Sequence, residues 1–479
     1  MTTNNCGGFP LSKRIVIIGG GPAGYEAALA GAKYGAEITL VESEGPGGSA
    51  VIHDCVPSKS FIAGANIKTD LRRADAMGLG KDVTEALLDV DALNKRVRSL
   101  AGDQSTDIRA QLERIGVRVI DGLARFDDYK PKQTTHYIKA THAADGTEEI
   151  LECDLVLLAT GAHPRVLPGA RPDGERIFTW QQIYDLEALP EHLIVVGSGV
   201  TGAEFVSAFA ELGVQVTMVA SRDRILPHDD ADAADVLETV LAERGVKLVK
   251  HARVDEVVNT GSGVLVRTAD GREIEGSHAL MTVGSVPRTK KLGLESVGVE
   301  VTPSGHIHVD RVSRTNVAGI YAAGDCTDLF PLASVAAMQG RIAMYHALGE
   351  GVSPLRLKTV ATAVFTRPEI ASVGVTQHQI ESGEVRARSI TLPLQTNPRA
   401  KMRSLRHGFV KLFCREHSGI IIGGAVVAPT ASELILPISV AVNNNLTVNA
   451  LADSFAVYPS LSGSITEAAR RLVSHDDLG

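Results

Sequence analysis

Two glycine-rich turns have the spacing that cradles a dinucleotide. Gly19-x-Gly21-x-x-Gly24 follows the β-branched run Arg14-Ile-Val-Ile-Ile and precedes an alanine-rich stretch, and Gly197-x-Gly199-x-x-Gly202 follows Leu193-Ile-Val-Val in the same way. In such a turn the first glycine makes the bend, the second lets the backbone approach a pyrophosphate, and the third lets a helix pack on a strand. The N–H groups that open the helix then face the phosphates. Glu42 closes the strand after the first turn, where a carboxylate can accept both hydroxyls of a ribose. The corresponding place after the second turn holds Ala220, followed by Ser221, Arg222, Asp223 and Arg224. A carboxylate there would repel a 2′-phosphate, whereas an arginine and a hydroxyl can hold one, so Ser221 and Arg222 point to NADPH, alone or alongside NADH. The alternative is that Arg222 and Arg224 are only solvated surface charges.

These turns need strands and helices to aim them, and the chain supplies two copies. Gly19 and Gly197, Gly35 and Gly213, and Glu42 and Ala220 are each 178 residues apart, so strand, glycine turn, helix and strand occur twice. The continuous β-branched runs predict parallel strands covered on both faces. A helix is expected over 104–115 and a small antiparallel sheet over 117–157. After Gly284, strands are expected around 306–309 and 319–323. From about residue 354, strands mix with apolar helices such as 432–442, as in a separate α+β domain. The expected division is 1–163 and 286–354 for the first nucleotide, 164–285 for the second, and 355–479 at the C-terminus.

A chain of 479 residues exceeds one hydrophobic core and suggests roughly three to four units. Its 48 Lys and Arg against 56 Asp and Glu give a net charge of -8, with no basic stripe for nucleic acid. Cys6, Cys55, Cys153, Cys326 and Cys414 are scattered and lack metal-ligand spacing, which predicts a reducing compartment and no metal. The first thirteen residues carry no apolar run of signal-peptide length. Within the apolar stretch 419–442, Pro429, Glu433 and Pro437 argue for buried core, not a membrane span. A cytoplasmic protein with no integral membrane segment is expected.

Further motifs carry a family resemblance over essentially the whole length. Besides the two glycine turns they are Pro57-Ser-Lys59, Ala159-Thr-Gly161, the run from Gly197 to Glu204, Ile320-Tyr-Ala-Ala-Gly-Asp325 and Phe365-Thr-Arg-Pro-Glu-Ile-Ala-Ser-Val-Gly374. Together they resemble the pyridine nucleotide-disulfide oxidoreductases, the family of dihydrolipoamide dehydrogenase and glutathione reductase. The resemblance implies two Rossmann-like α/β domains and a C-terminal α+β dimerisation domain, hence a homodimer. It implies FAD on the first half, with Gly19, Gly21, Gly24, Glu42, Thr160, Gly161 and Asp325 binding it, Asp325 along the ribityl and pyrophosphate. It implies NADH or NADPH on the second half, with Gly197, Gly199, Gly202, Glu204, Ser221, Arg222 and Gly284. Lys59 would stand beside the flavin N5, paired with Glu204.

The departures are as informative as the matches. The family's segment GG-T-C-x-x-x-x-C-x-P-S-K reads here Gly47-Gly-Ser-Ala-Val-Ile-His-Asp-Cys-Val-Pro-Ser-Lys59, so Ala50 stands where the first cysteine would be and Cys55 alone remains. One sulfur cannot form the internal disulfide that relays electrons by exchange. The family's His-x-His-Pro-T-L-S-Glu is here Ala456-Val-Tyr-Pro-Ser-Leu-Ser-Gly463, with Tyr458 for the acid-base histidine and Gly463 for its glutamate. Tyrosine, with an ordinary pKa of about 10, is a poor base near neutrality. Val200 stands where the family often carries a gating tyrosine. Cys55 reads either as a thiolate at a helix N-terminus tuning the flavin or as a small buried residue. His53, with Asp54, reads either as coupling protons near the ring or as structural. The set predicts direct reduction of a quinone or similar small acceptor by the flavin, as in disulfide-lacking NAD(P)H:quinone reductases of this family. Two alternatives are a disulfide reductase with another sulfur partner for Cys55, and a flavin-bound protein that signals its redox state to a partner.

Overall fold

The computed structural model describes residues 12–72, 74, 78, 88–127 and 135–473. Cys6 and the start of the chain, where no leader was expected, lie outside the described residues. The chain forms two compact units, one from Met1–Pro57, Arg96–His163 and Ser285–Leu355, the other from Ser58–Lys95, Pro164–Gly284 and Arg356–Gly479.

The first unit is built on a seven-stranded sheet in the order Ile320–Ala322, Leu155–Leu158, Arg14–Ile18, Glu37–Glu42, Arg118–Phe126, His136–His142, Glu148–Cys153. The first five strands run parallel and the last two pairings are antiparallel. Strand alternation sorts the apolar residues onto two faces. Ile15, Ile17, Leu40, Leu155 and Leu157 join one core cluster, and Val16, Ile18, Val41, Val156 and Leu158 join another. On the first face the helices Pro22–Lys33 and Ala333–Ala347 meet closely, because a Cβ on Gly340 would come within 2.1 Å of the Ala23 carbonyl.

The helix expected over 104–115 and its neighbours is present as Val90–Arg114, whose buried positions Asn94, Val97, Ala101, Ser105, Ile108 and Leu112 recur every three to four residues. Two other expectations are corrected. The segment 117–157 is not one antiparallel sheet: Arg118–Phe126 pairs parallel with Glu37–Glu42, and Leu155–Leu158 lies in the parallel core because its unbroken apolar run is covered on both faces. Around 306–309 there is no strand. Ile307 makes only isolated bridges to Val301 and Thr327, beside a turn through Gly305 at φ +86°.

The second unit carries a five-stranded parallel sheet in the order Lys247–Val249, Gln215–Val219, His192–Val196, His278–Met281, Ile177–Thr179. A three-stranded antiparallel meander, Val254–Asn259, Val264–Thr268 and Glu273–Gly276, follows. The C-terminal part is a five-stranded antiparallel sheet, in the order Ala361–Val364, Glu369–Gly374, Ile421–Ala428, Phe409–Arg415, Ala387–Pro393. The apolar stretch 419–442 resolves into the fully buried strand Ile421–Ala428 and the helix Ala431–Asn443. Among the described residues no helix is long and apolar enough to cross a membrane. Lys411, 1 % exposed, is enclosed in this unit and reaches Asp230 at 2.8 Å and Asp232 at 2.7 Å. It thereby joins the C-terminal sheet to the start of the helix Ala231–Glu243.

Candidate functional site

In the first unit, Gly19 bends at φ +103° straight after the strand Arg14–Ile18, and a Cβ there would lie 2.2 Å from the Ala159 carbonyl oxygen. A Cβ on Gly24 would lie 1.9 Å from the Gly19 oxygen, so the helix packs as the third glycine requires. Around Gly21, by contrast, nothing lies within 4 Å of the added Cβ. That open side, at the start of the helix Pro22–Lys33, suits a phosphate approaching the backbone. Glu42 is buried and already engaged: Oε1 accepts the N–H groups of Ser43 at 2.7 Å and Glu44 at 2.8 Å, and Oε2 that of Gly20. A carboxylate offers about four acceptor positions, so a ribose would find the remaining capacity on Oε2.

The second turn repeats this geometry. Gly197 has φ +115° and an added Cβ would meet the Thr282 oxygen at 2.3 Å, Gly202 would meet the Gly197 oxygen at 2.2 Å, and Gly199 faces open space. Val200 opens the helix Val200–Leu212 and is exposed. Gly284, at φ +88°, likewise has nothing within 4 Å of its added Cβ. Ala220 is buried just past the strand Gln215–Val219, whereas Ser221 and Arg222 are exposed and Arg224 half-buried. Among the described residues no carboxylate pairs with Arg222 or Arg224, and the Arg222 carbonyl accepts the His251 N–H at 3.1 Å.

Lys59 and Glu204, 145 residues apart, come together as expected: Lys59 Nζ donates to Glu204 Oε2 at 2.8 Å. The Glu204 side chain is 5 % exposed and that of Lys59 30 %. Glu204 Oε1 accepts the backbone N–H of Phe365 at 2.9 Å, and the Phe365 ring faces Lys59 Nζ, 4.9 Å from its centroid. Phe365 stood in a motif that by itself assigned the ring no role. Its part becomes visible only through contacts with residues far away in the chain.

The segment that holds a disulfide in the resembling family packs against the first glycine turn. The Gly47 N–H donates to the Gly20 carbonyl at 2.7 Å, and Ala50 sits within the short helix Gly48–Ile52. Cys55 begins the helix Cys55–Arg72 and is half-buried rather than enclosed. None of the described cysteines is joined in a disulfide. Cys153 and Cys326 are fully buried, and burial pushes their thiols up to about 12 and about 11, so neither supplies thiolate for exchange. His53 lies against Glu44, Nε2 to Oε2 at 2.9 Å, and the other Glu44 oxygen takes Arg288 at 3.1 Å. The bond to His53, aided by the charge of Arg288 and opposed by burial, holds the Glu44 carboxyl down at about 2. Thr160 donates to the Arg288 carbonyl at 2.8 Å, and Gly161, at φ +65°, accepts the Arg288 N–H at 2.9 Å. Glu44 and Arg288 were not singled out in the sequence, where neither belongs to a glycine turn or a cysteine motif. Asp325 is pushed up to about 6, first by burial and then by the like charge of Asp54. Hydroxyl donors along a ribityl chain would relieve both.

Tyr458 lies on the surface of the second unit. It is 81 % exposed, beside Val457 at 79 % and Phe455 at 106 %, on the loop that precedes the helix Gly463–Leu472.

Two parallel sheets with a glycine turn at the carboxyl end of a strand in each, followed by an antiparallel α+β region, define a two-dinucleotide oxidoreductase. The chain belongs to the pyridine nucleotide-disulphide oxidoreductase family: the family pattern matches residues 13–340 and that of its dimerisation domain residues 360–469. It is 64% identical over 468 residues to the NAD(P)H dehydrogenase (quinone) of Mycobacterium tuberculosis strain H37Rv, covering 97% of this chain and 95% of that protein. With the dihydrolipoyl dehydrogenase of Bacillus subtilis strain 168 it shares 31% over 457 residues, 95% of this chain and 97% of the relative. Among solved structures, LpdA from Mycobacterium tuberculosis superposes with a TM-score of 0.93 at 62% identity, over 96% of this chain and 100% of that one. The HOCl-induced flavoprotein disulfide reductase RclA from Escherichia coli gives a TM-score of 0.83 at 25% identity, over 96% and 100%.

Proposed function

We propose that this chain is an NAD(P)H:quinone oxidoreductase that passes reducing equivalents from a nicotinamide nucleotide to FAD and from FAD directly to a quinone-type acceptor. The observation that carries the proposal is the replacement of the relay's first cysteine by Ala50, with none of the described cysteines in a disulfide, beside an intact Lys59–Glu204 pair. The likeness to a relative named for quinone reduction supports it.

Bound FAD would supply two-electron redox chemistry between the nicotinamide and a quinone-type acceptor that also takes up two protons. The residues of the chain bind and orient. Gly19, Gly21 and Gly24 give the pyrophosphate its backbone cradle, Glu42 takes the ribose, and Thr160, Gly161 and Asp325 line the rest of the FAD site. Gly197, Gly199, Gly202 and Gly284 do the same for the nicotinamide nucleotide, with Ser221 and Arg222 toward a 2′-phosphate. Lys59, held by Glu204, places a positive charge where negative charge develops on the flavin. Cys55 sits at the start of the helix Cys55–Arg72, and His53, braced by Glu44, acts as a proton relay. The division into 1–163 with 286–354, 164–285 and 355–479 follows these roles. The protein acts as a cytoplasmic homodimer, with Tyr458 on the dimer-forming segment.

Anaerobic titration of the purified yellow protein tests the proposal. Uptake of two electrons per FAD is expected, since no disulfide joins the reservoir. Uptake of four, or rapid lipoamide reduction, would overturn it.

A further inference from the structure

Lys59 and Glu204 share a third partner that lies on neither of their helices. Phe365 follows the strand Ala361–Val364, and it grips both members of the pair: its backbone N–H holds Glu204 Oε1 at 2.9 Å, and its ring faces the Lys59 ammonium at 4.9 Å. The segment around Phe365 is fixed from several sides. Thr366, 2 % exposed, donates to the Pro368 carbonyl at 2.7 Å. The Arg367 N–H donates at 3.0 Å to Ser207, on the helix that carries Glu204. The Arg367 guanidinium reaches the backbone and side-chain oxygens of Asn66 at 3.2 Å, and Asp70, on the helix that carries Lys59. Arg244 in turn donates to the Arg367 carbonyl at 2.7 Å.

We propose that Phe365 is a positioning residue for flavin reduction, holding the Lys59 ammonium in line between a carboxylate and an aromatic face. A lysine head is a compact charge on a flexible four-carbon stem, and each contact that holds it narrows where it can swing. The negative face of a phenyl ring attracts an ammonium from a second direction. Together with Glu204 Oε2 at 2.8 Å, the ring confines the ammonium in two dimensions. Because Glu204 is fixed in its turn by the Phe365 backbone, the pair and the ring form one rigid unit. The inference rests on the reading of Lys59 as the flavin-side cation.

Site-specific replacement of Phe365 by phenylalanines with one, two and three ring fluorines drains the negative face and keeps the shape. In the full-length, FAD-loaded protein the limiting rate of flavin reduction by NADH is expected to fall stepwise, by about twofold to thirtyfold over the series. The Kd for NADH stays unchanged, and the midpoint potential of bound FAD moves to more negative values in step. In a Lys59→Met background the same series leaves both quantities flat. Wild-type rate and potential across the series, or an equal fall in the Lys59→Met background, overturns the role of Phe365. A Lys59→Met protein reduced as fast as the wild type overturns instead the reading beneath it.

Discussion

At the residue scale, the second nucleotide site turns on Ala220 and the short polar run after it. A buried Ala220 leaves no carboxylate at the strand end, and Arg222 stands exposed beside it with no carboxylate partner among the described residues. A charge-assisted bond to a 2′-phosphate contributes about 1.5–3 kcal/mol, so Arg222→Ala is expected to raise the KM for NADPH about tenfold to a hundredfold. The KM for NADH should not move, and steady-state rates with both nucleotides check this. The glycine turn and the missing acid were legible in the sequence, because both are local features. Phe365, Glu44 and Arg288 were not legible as partners. Their contacts reach 161 residues to Glu204 and 244 residues from Glu44 to Arg288, and no periodicity announces such distances.

At the element scale, the repeat of strand, turn, helix and strand was readable because β-branched runs and alanine-rich helices follow different periods. Leu155–Leu158 was misassigned because the alternating strand Glu148–Cys153 runs almost directly into it, and only the loss of alternation marks the change of sheet. Lys411 was invisible for another reason: a lysine in the strand Phe409–Arg415 reads as solvent-facing until its partners are known. Its Nζ is enclosed with Asp230, whose side chain is 6 % exposed and whose Oδ1 also caps the helix Ala231–Glu243 through the Ala233 N–H. Removing the cation alone leaves a buried carboxylate uncompensated, so Lys411→Ala should cost about 3–5 kcal/mol of stability. Lys411→Met combined with Asp230→Asn should recover most of that, since asparagine caps a helix as well as aspartate does. Denaturant unfolding of the two variants distinguishes these outcomes.

At the scale of the whole molecule, Phe455, Val457 and Tyr458 stand exposed together on one loop, a surface suited to the proposed second copy. It lies within the residues that match the family's dimerisation domain. If the proposed homodimer forms through this loop, Val457→Asp is expected to sediment as a monomer in sedimentation velocity, and an unchanged sedimentation coefficient would count against the assembly. The first unit has a different consequence, which arises from its three separate pieces. Its central strand, Arg14–Ile18, is flanked on one side by Leu155–Leu158, and that strand in turn by Ile320–Ala322. During synthesis Arg14–Ile18 can meet both of its neighbours once Leu158 has emerged, but Leu155–Leu158 must wait for Ile320–Ala322, roughly 8–33 s at bacterial or eukaryotic elongation rates. Throughout that interval the outer edge of the apolar strand Leu155–Leu158 stays unpaired, which makes the emerging polypeptide a client for chaperones long before any vitamin-derived group can be loaded.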